Sequence, residues 1–228
     1  MPAVELTREG NAWLLRIANH DRDNTFTLDA LADWHAALDT VEASAGDGAL
    51  LVWSDHPKTF SNGIDLEWML AQPADTMRRF VHKLDALFLR LALFPMPTLV
   101  SINGNAYGGG AILASAADFR FMRSDRGRFC YPEVKIRMAF TPAMLETIRL
   151  LPNPRALHRL ALTSDAIGGV EALELGVVDA IHDADALFPA ALAKAQELAT
   201  KHRPTYTEIK RMLRADLARF VAARQESP

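Results

Sequence analysis

The 228-residue chain has a single cysteine, Cys130, so it can form no intramolecular disulfide. One free thiol suits a reducing compartment. Basic charge is not in surplus: 25 Lys and Arg stand against 28 Asp and Glu, for a formal net charge of −3. That removes the usual electrostatic ground for binding nucleic acid. No uninterrupted apolar run reaches the roughly 18 residues of a membrane span. The first ten residues carry Glu5, Arg8 and Glu9, unlike a secretory signal. The last four, Gln225-Glu226-Ser227-Pro228, are not a Ser-Lys-Leu address. The cytoplasm is the expected location. The histidines show no His-Glu-x-x-His spacing, and no Gly-x-Ser-x-Gly elbow occurs. Neither a metal centre nor a serine hydrolase is therefore expected. Low-complexity tracts and evident linkers are also missing. What is present in quantity is apolar material, 50% of residues, enough for one large core or a core with an appended element.

Periodicity orders that material. Val4 to Leu6 and Ala12 to Ile17 alternate apolar and polar around a Gly-Asn turn and predict a β-hairpin. Thr27 to Val41 and Met77 to Phe94 show apolar residues at helical spacing, the second ended by Pro95 and Pro97. Ala49 to Trp53 and Thr98 to Ile102 are short apolar runs of strand type, and Ala111 to Ala117 is the next helix. Phe119 to Met122 and Arg128 to Tyr131 predict short strands around the turn Ser124-Asp125-Arg126-Gly127. The order of strand, helix, strand, helix, strand argues for an α/β fold with mostly parallel strands. After Thr141 the pattern is helical: Pro142 to Leu150, Pro154 to Leu162, and Val170 to Leu175 with Gly176 as cap. Thr205 to Ala223 predicts one amphipathic terminal helix with a stripe of Ile209, Met212, Leu213, Leu217, Phe220 and Val221. Such a helix docks on its own domain or on a neighbouring subunit, with a membrane surface as the lesser alternative.

Two glycine-bearing turns carry the functional signal. Phe60-Ser61-Asn62-Gly63-Ile64-Asp65-Leu66 follows one apolar strand, and Asn103-Gly104-Asn105-Ala106-Tyr107-Gly108-Gly109-Gly110 follows another. Both lead into apolar helical segments. Glycine permits tight turns and close approach to a ligand, and a helix start leaves N–H groups unpaired. Two such turns, if they converge, present two N–H donors to one oxygen, the anatomy of an oxyanion hole. Taken alone, Gly108 to Gly110 reads first as a tight strand-to-helix connection needed for packing.

The blocks FSNGIDL, PTLVSINGNAYGGGAILASAADFRFM, FCYPEVKI and ALELGVVDA, in this order over roughly Val4 to Asp179, resemble the enoyl-CoA hydratase/isomerase (crotonase) superfamily. The resemblance implies a spiral of β-β-α turns with a helical C-terminal region, an acyl-CoA thioester as ligand, and a homotrimer or dimer of trimers. It implies a core over residues 1–178 and a C-terminal helical region, 179–228, for docking and oligomer contacts. It assigns the oxyanion-hole N–H groups to Asn62 and Gly109, and substrate contacts to Ser61, Asn62, Gly63, Ile64, Asp65, Gly109 and Ile112. No cofactor is implied, since CoA belongs to the substrate.

Hydratases of this superfamily typically use two glutamates. One lies two residues after the last glycine of the GGG block, and here that position is Ile112. The other follows a proline in the third block and is Glu133. Adding water across a double bond suits two carboxylates, whereas moving a double bond needs one proton removed and returned elsewhere, which one carboxylate can do. The pattern therefore resembles the Δ3,Δ2-enoyl-CoA isomerase branch, with Glu133 as the single catalytic acid/base. Hydration with Asp65 or another replacement acid, thioester hydrolysis, and a CoA-binding subunit without chemistry are the alternatives. On residues alone Glu133 reads first as a loop glutamate, exposed to solvent or paired with Lys135 or Arg137. Cys130 and Asp118 fit structural roles, and Trp68, Met69, Phe80 and Phe88 fit either an acyl pocket or plain core.

Overall fold

Alternating side chains fold β1 (Val4–Glu9) onto β2 (Ala12–Ile17) as an antiparallel hairpin. The computed structural model describes residues 2–226, without the side chains of Gln225 and Glu226; Met1 and the Ser227-Pro228 end of the C-terminal tetrapeptide lie outside the described residues. A short 3-10 turn, His20–Arg22, leads to α1 (Leu28–Glu42), whose first turn is capped by Thr27 accepting from the Ala30 N–H.

A repeating unit follows. β3 (Ala49–Ser54) and β4 (Thr59–Ser61) precede α2 (Leu66–Leu70) and α3 (Ala74–Ala92). β5 (Thr98–Ile102) and β6 (Asn105–Tyr107) precede α4 (Gly109–Ala116). β7 (Phe119–Arg123) and β8 (Phe129–Cys130) precede α5 (Glu133–Ile136) and α6 (Pro142–Ile148). The chain closes with α7 (Pro154–Thr163), α8 (Gly169–Glu174), β9 (Ala180–His182), α9 (Ala184–Leu198), α10 (Arg203–Leu213) and α11 (Ala215–Glu226). The first strand of each pair joins a six-stranded sheet, β1-β2-β3-β5-β7-β9, and the second joins a parallel three-stranded sheet, β4-β6-β8. This is the β-β-α spiral with a helical C-terminal region. β3 and β5 are the middle strands of the large sheet and are apolar on both faces because helices or the small sheet cover both.

Several elements differ from the sequence reading. β4 and β6 are three-residue strands inside what read as turns, too short to show a period. β7 and β8 are the two short strands expected around the Ser124–Gly127 turn, and each goes to a different sheet. α9 carries Leu187, Ala191, Ala195 and Leu198 on its buried face, and an interior Pro189. Its stripe is half alanine and its proline is a helix-breaking signal, which is why the pattern does not announce it. The expected boundary at 178/179 falls within the large sheet, since β9 pairs with β7 through Phe121 and Ala180.

The terminal segment is two helices rather than one. The break at Arg214, with φ −108° and ψ 34°, rotates the stripe, so Ile209, Met212 and Leu213 stay exposed while Leu217 is buried. α10 is held instead by Lys210, whose Nζ donates to the carbonyls of Phe94 and Met96. Among the described residues no helix is long and apolar enough to cross a membrane.

Candidate active site

The two glycine turns meet. A Cβ added to Gly63 would lie 2.5 Å from the Gly109 nitrogen and 2.7 Å from the Tyr107 carbonyl oxygen, and one on Gly110 would lie 2.2 Å from the Ser61 oxygen. Only glycine allows these backbones to touch, and Gly63 also has φ of +77°, a region side chains disfavour. The cause is the small sheet: β4 pairs with β6, so the residues that follow each strand emerge side by side.

Peptide geometry decides which N–H groups are free. In the first turn the Asn62 N–H donates to the Asp23 carbonyl (3.2 Å), the Gly63 N–H to Ser61 Oγ (3.1 Å) and the Asp65 N–H to the Phe26 carbonyl (3.1 Å). The Ile64 N–H has no acceptor among the described residues. The Gly63 carbonyl accepts from the Phe26 N–H at 2.7 Å. In a trans peptide the next N–H points the opposite way, so the Ile64 N–H faces away from Phe26. This corrects the donor expected in the first turn: the Asn62 N–H is engaged, and the Ile64 N–H is available. In the second turn the Gly108 carbonyl accepts from the Ile112 N–H at 2.9 Å. By the same rule the Gly109 N–H, first residue of α4, points out of the helix.

Glu133 sits against this junction. β8 pairs with β6, with Gly108 N–H donating to the Cys130 carbonyl at 3.0 Å, and Tyr131-Pro132 carries the chain on to Glu133. A Cβ on Gly108 would lie 3.6 Å from Glu133 Oε1. The residue is only 8% exposed, and its Oε2 has no hydrogen-bond partner. Burial pushes its carboxyl up to about 7, opposed only by a bond to its own backbone. Pairing with Lys135 or Arg137 does not occur: Lys135 Nζ bonds the Ser164 carbonyl, and Arg137 takes a left-handed conformation at the end of α5.

Asn62, Ile64, Gly109, Ile112 and Glu133 line one cavity of about 210 Å3. Its remaining wall is largely apolar and includes Met69, Val81, Met138 and Met144. Ile112 is 1% exposed and lies one helical turn before Ser115, whose Oγ bonds the Tyr131 hydroxyl. Ser61, Gly63 and Asp65, expected at the substrate, lie behind the wall. Ser61 is fully buried, Gly63 packs on Gly109, and Asp65 caps α2 through the Trp68 N–H while pairing with Arg22. Met69 reaches the cavity. Trp68 and Phe80 instead stack edge-on at 5.1 Å, and Phe88 packs against Phe26. Met138 and Met144 gave no sequence signal, being apolar residues without a motif.

Two other polar residues resolve into structural roles. Cys130 is 2% exposed, and burial pushes its thiol up to about 11, the wrong direction for a nucleophile. Asp118 accepts from the Thr98 N–H and the Tyr206 hydroxyl and pairs with Lys210 and Arg214. Among the described residues no group of three or more His, Cys, Asp or Glu is arranged to hold a metal ion.

The β-β-α spiral of a six-stranded and a three-stranded sheet is the crotonase fold, shared with solved structures at a TM-score of 0.89. The family model for enoyl-CoA hydratase/isomerase matches residues 7–226, and the chain belongs to that family. It is 31% identical to enoyl-CoA delta isomerase 3 of Arabidopsis thaliana, over 95% of this chain and 94% of that one. It is 32% identical to a putative enoyl-CoA hydratase of Thermus thermophilus, over 86% and 78% of the two chains. A solved enoyl-CoA isomerase of Mycobacterium tuberculosis superposes with a TM-score of 0.86 at 26% identity, covering 97% of this chain and 95% of that one.

Proposed function

We propose that the protein is a Δ3,Δ2-enoyl-CoA isomerase in which Glu133 alone moves the proton. The observation that carries this reading is one buried carboxylate without an ion-pair partner, facing the cavity that Ile112 also lines. The thioester carbonyl of a 3-enoyl-CoA sits between the N–H groups of Ile64 and Gly109. Glu133 takes a proton from C2, and the charge spreads over the dienolate from the thioester oxygen to C4. The same carboxyl returns the proton to C4, leaving a 2,3 double bond and a regenerated carboxylate. Two N–H donors aimed at the developing oxyanion carry most of the stabilisation, since loss of one donor costs about 10²–10³ in rate. A carboxyl raised to about 7 is a stronger base than an ordinary glutamate while still ionised in half the molecules near neutrality. Hydration is disfavoured because Ile112 offers no second carboxylate to hold water. The Thr141 hydroxyl at the cavity wall is already committed to Asp85 and to capping α6. No cofactor enters this scheme.

The test is product identification. Purified protein is given 3-hexenoyl-CoA and 2-hexenoyl-CoA separately. The expected product from the first is 2-hexenoyl-CoA, formed much faster than any hydroxyacyl-CoA from the second. Faster hydroxyacyl-CoA formation overturns the isomerase reading.

A further inference from the structure

The five residues Arg22 to Phe26 bond the first glycine turn at several points on either side of the Ile64 N–H. Arg22 Nη1 pairs with Asp65 Oδ2 at 2.6 Å. The Asp23 carbonyl takes the Asn62 N–H, and the Asn24 carbonyl takes the Ser61 hydroxyl at 2.8 Å. Asn24 Nδ2 reaches the Phe60 carbonyl at 3.0 Å and Ser54 Oγ at 2.9 Å. Phe26 exchanges bonds with Gly63 and Asp65 on either side of Ile64. The path of this segment is specific: Asp23 and Asn24 are both left-handed, with φ of +50° and +56°, a conformation these two residue types accept. Asn24 is also 1% exposed with an unpartnered Oδ1. Two successive left-handed residues and a buried acceptor without a partner, in one segment bonded to the turn, call for a local reason.

We propose that Arg22–Phe26 is a strap whose Asn24, through Ser61 of the turn, acts as a positioning residue, fixing the peptide that aims the Ile64 N–H at the substrate carbonyl. Asn24 holds Ser61 through its carbonyl, and the Ser61 hydroxyl in turn receives the Gly63 N–H. Gly63 and Ile64 share the peptide in question, so the orientation of one N–H is set by residues about forty positions upstream. The strap touches neither substrate nor Glu133; it acts through the turn. The inference rests on the isomerase reading above, in which the carbonyl lies between Ile64 and Gly109.

The experiment reads the carbonyl directly. 2-Hexenoyl-CoA labelled with carbon-13 at C1 is bound to the wild type and to Ser61→Ala, Asn24→Gly and Arg22→Ala, and the infrared C=O stretch is recorded. Asn24→Gly keeps the left-handed backbone accessible while removing the side-chain anchors. Arg22→Ala changes a side chain that is 55% exposed, so a folded variant is secured. The wild type is expected to lower the stretch relative to free ligand. Ser61→Ala and Asn24→Gly are expected to return it part of the way and to lower kcat about 10- to 100-fold, in line with sub-ångström misplacement of a reacting group. KM should move less than twofold, and Arg22→Ala should give the same changes in smaller measure. A wild-type stretch retained in folded Asn24→Gly and Arg22→Ala overturns the strap, whatever Ser61→Ala does. No lowering in the wild type overturns instead the two-donor reading beneath it.

Discussion

Two buried carboxylates, Glu133 and Asp118, show how opposite environments sort residues of like charge. The Asp118 side chain is 8% exposed and is fully partnered: Lys210 at 2.7 Å, Arg214 at 2.9 Å, the Tyr206 hydroxyl and the Thr98 N–H. It ties α10 to the large sheet, and removing one member of such a cluster strands the others. The Glu133 residue is buried as well, has no cation beside it, and faces a cavity. Its charge is destabilising to the fold and useful to chemistry, a pattern typical of acid/base residues. Burial alone therefore does not separate structure from function; the partners do.

The largest effect expected from breaking this contrast is on rate. Glu133→Gln should lower turnover of 3-hexenoyl-CoA by about 10²–10⁴, the usual worth of a positioned acid/base. It should not lower stability. The folded-state carboxyl is raised from 4.5 to about 7, so between those values the folded protein holds a proton that the unfolded chain has released. Stability then falls as pH rises through that window and levels above it. At pH 8 the glutamine variant, which lacks this loss, should be more stable by up to ~3 kcal/mol, taking ~1.4 kcal/mol per pH unit. Thermal unfolding of both proteins at pH 5 and pH 8 measures it.

Asp118→Asn should do the reverse. It leaves Lys210 and Arg214 without their carboxylate and is expected to cost about 3–5 kcal/mol of stability. For a chain of this size that is a fall in Tm of roughly 6–20 °C. Turnover per folded molecule should stay near wild type, because Asp118 does not line the cavity.

Ile112→Glu brings a second carboxylate to the same cavity. Hydration of 2-hexenoyl-CoA should become measurable, detected as hydroxyacyl-CoA, while Tm falls because a second charge is buried without a partner. Smallest is Asp65→Ala, which removes the α2 cap at about 1 kcal/mol, read as a Tm shift of ~2–4 °C.

Much of this contrast was legible in the chain, and the rest was hidden for identifiable reasons. Gly63, Gly109 and Gly110 stand out because backbone contact excludes a Cβ there, and Glu133 stands out after its proline. Ile112 was informative as a missing carboxylate. The donor in the first turn was not readable, because the fate of the Asn62 N–H depends on Asp23, whose carbonyl approaches only in the folded chain. The strap residues Asp23 and Asn24 carry only a turn-like signal, since both tolerate left-handed backbone. Val81, Met138 and Met144 enter the cavity from three separate segments with no motif. The terminal stripe misled because a continuous apolar period conceals the break at Arg214.

The claim that Glu133 is an unpaired base in a dry pocket is tested most directly by the pH dependence of kcat/KM for 3-hexenoyl-CoA. A base raised to about 7 predicts a single rising limb centred near pH 7 and a plateau above it. The limb should be absent from the residual activity of Glu133→Gln. A profile flat from pH 5.5 to 8.5, or the same limb in that variant, contradicts the account.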